Sequence, residues 1–327
     1  MAEHVWDVGV VAIGRNEGER LRRCFDALPA GLREVVYVDS ASTDESVEEA
    51  RRRGIEVVAL DMSVPFTAAR ARNAGLRRLR EQWPDLRFVQ FIDGDCTLHP
   101  DWLHAAVQEI EADPALAMVC GRRRELHPDA SVYNRLCDME WDTPVGEVES
   151  TGGDALARQD AVLGAGGYDE GLIAGEEPEL CARLRSSGWK IRRIDREMTL
   201  HDAGMLRFSQ WWRRSVRAGH AFAEVSAMHR GAFRGETLSI VAWGLVVPAA
   251  ALVTAPFTHG TGVLLLLGFP VLWMRILARR LARGDILPDA FLYASACTLG
   301  KFPEFAGAVR FWWNRACQRK TDLIEYR

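Results

Sequence analysis

Between residues 5 and 125, short apolar runs alternate with helical patterns, and this rhythm leaves few folds open. VGVVAI (8–13), EVVYVD (34–39), IEVVAL (55–60) and RFVQFID (87–93) read as strands. GERLRRCFDAL (18–28), SVEEARRRG (46–54) and TAARARNAGLRRLREQW (67–83) read as the helices between them. Strands that are apolar throughout, rather than at every second residue, are buried on both faces. Separated by helices, they predict an α/β fold with a mostly parallel sheet and helices on both faces. Ser42 followed by Glu45 reads as a capping box for the second helix. A further helix and strand follow over 100–123, then an irregular acidic stretch (124–150) suited to a binding loop, then a compact second half (151–201).

Such sheets bind ligands beyond the carboxyl ends of their strands. Three of those ends carry polar or acidic groups: Arg15–Asn16–Glu17, Asp39–Ser40 and Asp93–Gly94–Asp95. Two carboxylates either side of a glycine, at the end of an apolar strand, can be aimed at one hard cation. Mg²⁺ or Mn²⁺ takes oxygen ligands and bridges phosphates. Arg70, Arg72 and Asn73 sit just inside a helix start, where they can meet a diphosphate or form a solvated face. GEEPEL (175–180) offers Glu176, Glu177 and Glu179 in a loop leading into a helix. A carboxylate there can take a proton from an attacking hydroxyl. As acids at a helix start, the three also suit the helix dipole, a reading that covers Glu179. His201, after a strand-like segment, reads either as a third metal ligand or as a packing residue.

The remaining chain has a different character. Thr237 to Thr258 contains no Asp, Glu, Lys or Arg, and Gly260 to Met274 is a second apolar run broken by Pro270. The first run is long enough to span a bilayer. Residues 259–327 carry ten Lys/Arg against five Asp/Glu, although the whole chain of 327 residues has a net charge of −4. A hairpin with both ends on the cytoplasmic side satisfies the positive-inside bias, and a pair of buried or in-plane helices fits the same pattern. Phe302, Phe305, Val309, Trp312 and Ala316 recur at helical spacing among Lys301, Arg310, Arg315, Arg319 and Lys320, which suits a lipid headgroup region. Tryptophans 211, 212, 243, 273, 312 and 313 read as an interfacial belt or as core. No nucleic-acid motif accompanies the basic tail. The seven cysteines are scattered without a CxxC pair, which speaks for a reducing compartment and against a disulfide framework or a zinc site. The N-terminus lacks the pattern of a signal peptide, so the first part of the chain is expected to stay in the cytoplasm.

VGVVAIGRNEGERL, VVYVDSASTDES, AARARNAG, FIDGDC and GGYDEGLIAGEEPELCARLRSSGWKI, followed by His201, appear in this order. Together they resemble the family 2 inverting glycosyltransferases of GT-A fold, over roughly residues 7–225. The resemblance implies a nucleotide-diphosphate-sugar donor, typically UDP-linked, and Mg²⁺ or Mn²⁺. It implies that Asn16 and Glu17 hold the nucleotide, Asp39 faces the base, and Arg72 approaches the base or diphosphate. Asp93 would contact ribose or metal, and Asp95 the metal and diphosphate, with His201 near the metal. Glu177 takes the place of the acidic base and Glu176 that of the preceding acid. Two departures stand out: Ser40 replaces a usual second acid, and Glu177 is one methylene longer than the usual aspartate. The Gln210–Trp211–Trp212–Arg213–Arg214 segment lacks the last tryptophan of the processive motif, which implies single addition.

The expected domains are a catalytic domain over 1–230 (nucleotide-sugar half 1–125, acceptor half 126–230) and a hydrophobic hairpin with a basic amphipathic tail over 231–327. The C-terminal part resembles bacterial enzymes that build surface polysaccharides on lipid carriers. This implies a lipid-linked or saccharide acceptor, with the catalytic domain on the cytoplasmic face of the inner membrane. Three competitors stay open. A transferase acting on polyprenyl phosphate would need a bare lipid phosphate. A nucleotidyltransferase would show a lysine in the first Gly-rich turn, which GRNEGER lacks. A non-catalytic nucleotide-sugar-binding protein at the membrane would ignore Glu177→Gln.

Overall fold

The computed structural model describes residues 7–229 and 231–319. The start of the N-terminal stretch and Lys320 of the basic tail lie outside the described residues. Two compact units emerge: residues up to His127 with Glu140–Ala203, and Pro128–Met139 with Gly204 onward.

The first unit is built on one sheet. Its elements are β1 (Val8–Gly14), α1 (Glu19–Asp26), β2 (Val35–Asp39), α2 (Ser46–Arg52), β3 (Glu56–Ala59), α3 (Ala68–Gln82), β4 (Phe88–Asp93), β5 (Cys96–Leu98), α4 (Trp102–Ala112) and β6 (Leu116–Glu125). After α5 (Val132–Glu140) come β7 (Gly146–Glu147), β8 (Ala155–Arg158), α6 (Gln159–Gly164), α7 (Glu176–Ser186) and β9 (Lys190–His201). The strand order is β3-β2-β1-β4-β8-β6-β9-β5, with β7 on β9. β3, β2, β1 and β4 run parallel, as the continuous apolar runs require. β8 then pairs antiparallel with both β4 and β6, so the full sheet is mixed. The chain leaves β1 on one side toward β2 and returns on the other at β4. This reversal opens the crevice where α/β sheets take ligands.

β1 and β2 are buried along nearly their whole length. Val10, Val36, Phe91 and Trp102 belong to the continuous core, each contributing about 1.5–3 kcal/mol on burial. Trp102 finds a partner for its indole N–H in the buried Gln90 side chain, 2.8 Å away. α3 presses on the sheet at Gly75, where a Cβ would lie 2.3 Å from a Val11 methyl. Thr67 caps this helix by accepting from the Arg70 N–H.

Three local expectations need correction. Ser42 does not cap α2, whose N-cap is Glu45 with no side-chain bond, because the Ser42 hydroxyl accepts from Asn16 N–H instead. The stretch 124–150 is not irregular: β6 runs to Glu125, and α5 and β7 lie within it. Glu176 and Glu177 lie inside the first turn of α7 rather than in a loop, entered through Gly175 in the left-handed region (φ 82°).

In the second unit, α5 is joined by α8 (Phe208–Met228), α9 (Arg234–Val241), α10 (Val247–Thr254), α11 (Gly268–Ala282), α12 (Leu287–Leu299) and α13 (Lys301–Ala316). A π-helical turn (Ala242–Val246) joins α9 to α10, and 3₁₀ segments (Ala255–Thr258, Thr261–Leu267) lead into α11. Arg234–Thr258 and Thr261–Ala282 are both long and apolar enough to cross a membrane, with mean hydropathies of 2.1 and 1.9. α8 and α13 pack through two glycines. A Cβ on Gly219 or Gly307 would fall 1.9 Å from the carbonyl oxygen of Glu304 or Val216. This contact places α8 in the second compact unit, which takes up the chain from Gly204. On α13, Pro303, Gly307, Ala308 and Phe311 are buried, while Phe302, Val309, Trp312 and Trp313 face outward. Trp211 is buried and does not belong to an exposed belt. Gln210 caps the start of α8, where its side chain accepts from the Leu206 and Arg207 N–H groups.

Candidate active site

The carboxyl ends of β1, β2 and β4 come together in the first unit and carry most of the residues singled out from the sequence. Asn16 adopts φ 56°, a conformation asparagine tolerates better than most residues. Its N–H donates to Ser42 Oγ (2.9 Å) and its Oδ1 accepts from Thr43 N–H (2.7 Å). Asp39, buried beside it, accepts from Tyr37 Oη (3.2 Å) and Ser42 N–H (3.0 Å). The turns after β1 and β2 are therefore stitched into one rim. Glu17 lies on that rim, paired with Arg20 at 2.8 Å.

Arg72 bridges two of the elements that carry these residues. Its guanidinium is buried and reaches Asp93 Oδ1 (2.8 Å) with one nitrogen and Glu176 Oε1 (2.7 Å) with another. It also lies over the Tyr168 ring, 5.6 Å from the centroid. β4 and the first turn of α7, more than eighty residues apart in sequence, are thus joined by one side chain. Arg70 and Asn73, also considered from the sequence, are occupied elsewhere. Arg70 donates to carbonyls of Asp61, Val64 and Pro65. Asn73 bonds the backbone of Tyr168 through both ends of its amide.

Asp95 and His201 meet at the other side of Asp93. His201 Nε2 is 3.4 Å from Asp95 Oδ2, and both are buried. Burial pushes the Asp93 carboxyl above the usual range. Arg72 pulls it back down, and Asp154 and Asp95 push it up again. A divalent cation would relieve that crowding of negative charge. The oxygen and imidazole donors of Asp93, Asp95 and His201 suit Mg²⁺ or Mn²⁺, and the Cys96 thiol lies among them. The ligand atoms of Asp95, Cys96 and His201 lie within 4.8 Å of one another, as do those of Asp93, Cys96 and Asp154.

Glu177 is buried and takes four donors. Oε1 accepts from Thr151 N–H (2.6 Å), Thr151 Oγ1 (2.8 Å) and Cys181 Sγ (2.9 Å), and Oε2 from Gly152 N–H (3.1 Å). One oxygen is thereby saturated, and the other keeps capacity for one more hydrogen. Glu179, the third acid, forms an ion pair with Arg183 at 2.6 Å.

Sequence reasoning missed the support beneath these groups. Asp154, fully buried at the entry to β8, accepts from the Asp93 N–H (3.1 Å) and from Thr199 Oγ1 (2.9 Å), and pairs with Arg123 (2.8 Å). Arg123 in turn faces the Trp141 ring, whose edge-on partner is His201 at 4.8 Å. Only the glycine pair of TGGD hinted at a special turn here, and Gly153 indeed adopts φ 114° against the Arg123 guanidinium.

This fold is that of the GT-A glycosyltransferases. Two solved structures share it: a mannosyltransferase from Pyrobaculum calidifontis in complex with GDP-Man and Mn²⁺, and S. aureus TarS 1-349. The first has a TM-score of 0.58 at 20% identity, covering 94% of this chain and 88% of its own. The second has a TM-score of 0.52 at 14% identity, covering 88% and 89%. Residues 10–142 match the model of Glycosyl transferase family 2. The pre-mycofactocin glycosyltransferase of Mycobacterium tuberculosis is 26% identical over 236 residues, 68% of this chain; the match spans about half (48%) of that relative's length. Glycosyltransferase AglE of Haloferax volcanii is 25% identical over 255 residues, 73% of this chain and 80% of the relative.

Proposed function

We propose that this chain transfers a sugar from a nucleotide-diphosphate sugar, most simply a UDP-sugar, to an acceptor hydroxyl with inversion at the anomeric carbon. The observation that carries the reading is the junction made by Arg72. It ties the acidic turn after β4 to the pair of carboxylates opening α7, so a diphosphate-binding edge and a proton acceptor share one crevice.

The rim of Asn16, Glu17 and Asp39 takes the nucleoside in this reading, and Arg72 lies beside the diphosphate. Asp93, Asp95 and His201 would hold Mg²⁺ or Mn²⁺, which when bound neutralises the charge of the departing nucleoside diphosphate. Glu177 is the proposed base. Its Oε1 is anchored by Thr151 and Cys181, which fixes the carboxylate, and Oε2 accepts the acceptor's proton as the acceptor oxygen attacks the anomeric carbon. The bond from that carbon to the phosphate oxygen breaks on the opposite face, which inverts the centre. Glu176 is held by Arg72, and its role is to keep that arginine across the crevice.

The second unit supports a membrane setting. Its two apolar helical stretches leave Leu252 (74%) and Leu264 (58%) exposed, and Arg275, Arg279, Arg280 and Arg283 follow in and after α11. We place it at the cytoplasmic face of the inner membrane, with a lipid-linked saccharide as acceptor and surface-polysaccharide synthesis as the setting.

A screen of purified protein against nucleotide sugars, with Mg²⁺ or Mn²⁺ and release of nucleoside diphosphate as readout, tests the proposal. Turnover of one donor, enhanced by a polyprenyl-diphosphate-linked saccharide, is the expected result. Transfer to bare polyprenyl phosphate instead would redirect the acceptor assignment. Failure of every donor to bind would remove the function.

A further inference from the structure

Cys96 sits where the expected oxygen-rich site acquires a different chemistry. In the antiparallel pair of β5 and β9, Cys96 is directly opposite His201. Its Sγ lies 3.6 Å from Asp95 Oδ1, with the thiol donating to that carboxylate. Cys96 also belongs to both clusters of ligand atoms, the one with Asp95 and His201 and the one with Asp93 and Asp154. It is fully buried, so its sulfur faces protein ligands and not bulk water. The three candidate ligand atoms lie within 4.8 Å of one another. A tetrahedral ion with metal–oxygen and metal–nitrogen bonds of about 2.0–2.2 Å sets those ligands about 3.3–3.6 Å apart, and an oxygen and a sulfur at about 2.3 Å lie about 3.6 Å apart. The His201 Nε2–Asp95 Oδ2 distance of 3.4 Å and the Cys96 Sγ–Asp95 Oδ1 distance of 3.6 Å are of that size but reach opposite oxygens of the carboxylate, so Asp95 would bind through both oxygens or turn one of them toward both partners.

We propose that Asp95, Cys96 and His201 form a mixed oxygen, sulfur and nitrogen site that captures thiophilic divalent cations such as Zn²⁺ or Cd²⁺ at the place of the donor cation. This rests on the reading that the acidic turn after β4 holds the catalytic ion. As the metal–sulfur bond forms, the thiol proton leaves to solvent, and the ion takes its place between Sγ and the Asp95 carboxylate. No electron transfer is involved. Affinity at such sites rises from Mn²⁺ to Zn²⁺, and thiolate ligation favours Zn²⁺ over Mg²⁺. Thiophilic ions therefore compete with Mg²⁺ or Mn²⁺ and act as inhibitors that the oxygen ligands alone would not retain.

The test is a Cd²⁺ titration of the full-length protein, following the ultraviolet charge-transfer band of a cadmium–thiolate bond. The wild type is expected to develop this band at one equivalent. Cys96→Ser and Cys96→Ala lose it, with folding checked by circular dichroism. His201→Gln, which keeps the thiol, lowers Cd²⁺ affinity by at least about 10-fold. Cys317→Ser, which removes an exposed thiol, leaves the band in place. A band that persists without Cys96, disappears with Cys317, or never forms overturns the inference. Nucleoside diphosphate release by the wild type with Mn²⁺ is measured separately: turnover without a band overturns this site alone, and a band without turnover upholds the site and removes the function.

Discussion

The two units solve opposite problems with the same kinds of residue. In the first, Val8, Val10 and Val11 disappear entirely beneath helices, and the buried Asp154 is matched with Arg123. In the second, Leu252, Val253, Phe257 and Leu264 are exposed on two successive apolar stretches. A patch of that kind marks a surface that meets something other than water. The first unit is organised around one large core. The second has a small core, with Ala223, Ile240, Ala308 and Phe311 at its centre, and in the proposed membrane setting it depends on a surrounding apolar phase.

Four measurements break or sharpen that contrast. The largest effect belongs to the first unit: Glu177→Gln is expected to slow sugar transfer by about 10²- to 10⁴-fold while donor binding is retained. Single-turnover kinetics with donor titration check it. In the second unit, Leu252→Lys places a charge mid-stretch at a cost of about 3 kcal/mol. That lowers recovery with liposomes in flotation about 100-fold. If recovery is unchanged, the apolar face does not contact lipid.

A comparable effect comes from His220, fully buried on α8 with Arg310 and Glu224 as its charged neighbours. Burial first, then Arg310, lowers its folded pKa from 6.5 to about 4. The unfolded chain therefore takes up the proton first as pH falls. Stability is complete above about pH 6.5 and is lost by about 3 kcal/mol as pH falls to about 4. Urea unfolding across this range should show the slope, and His220→Phe should flatten it. The smallest change is Gly307→Ala, whose methyl meets the Val216 carbonyl and costs about 1–3 kcal/mol. Thermal unfolding followed by the aromatic signal of Trp312 and Trp313 should shift, and sheet signals should not. Coincident shifts would mean that the units melt together.

The parallel half of the sheet was legible because β1, β2 and β4 are buried on both faces and announce it as unbroken apolar runs. β5, β7 and β8 were not, since each is only two to four residues long and finds its partners far along the chain. The site divides in the same way. Asp39, Asp93 and Asp95 could be read as acids where apolar strands stop, and Glu176 and Glu177 as acids opening a helix. Asp154, Arg123, Trp141 and Cys96 gave no such signal. Their partnerships come from register, with β5 and β6 both aligned on His201 of β9, and register is not written in any local pattern. The scattered cysteines spoke against a zinc-type site, and spacing along the chain carries no sign that Cys96 and His201 face each other across paired strands.

Gly75 follows Arg72 by three residues on α3 and rests against Val11 and Val38, which leave no room for even one carbon. The helix can settle at its present depth only because that carbon is missing. The reach of the arginine into the crevice is therefore governed by a position that no ligand touches. A chain with alanine there would keep every charged group of the crevice and hold its guanidinium at the wrong height.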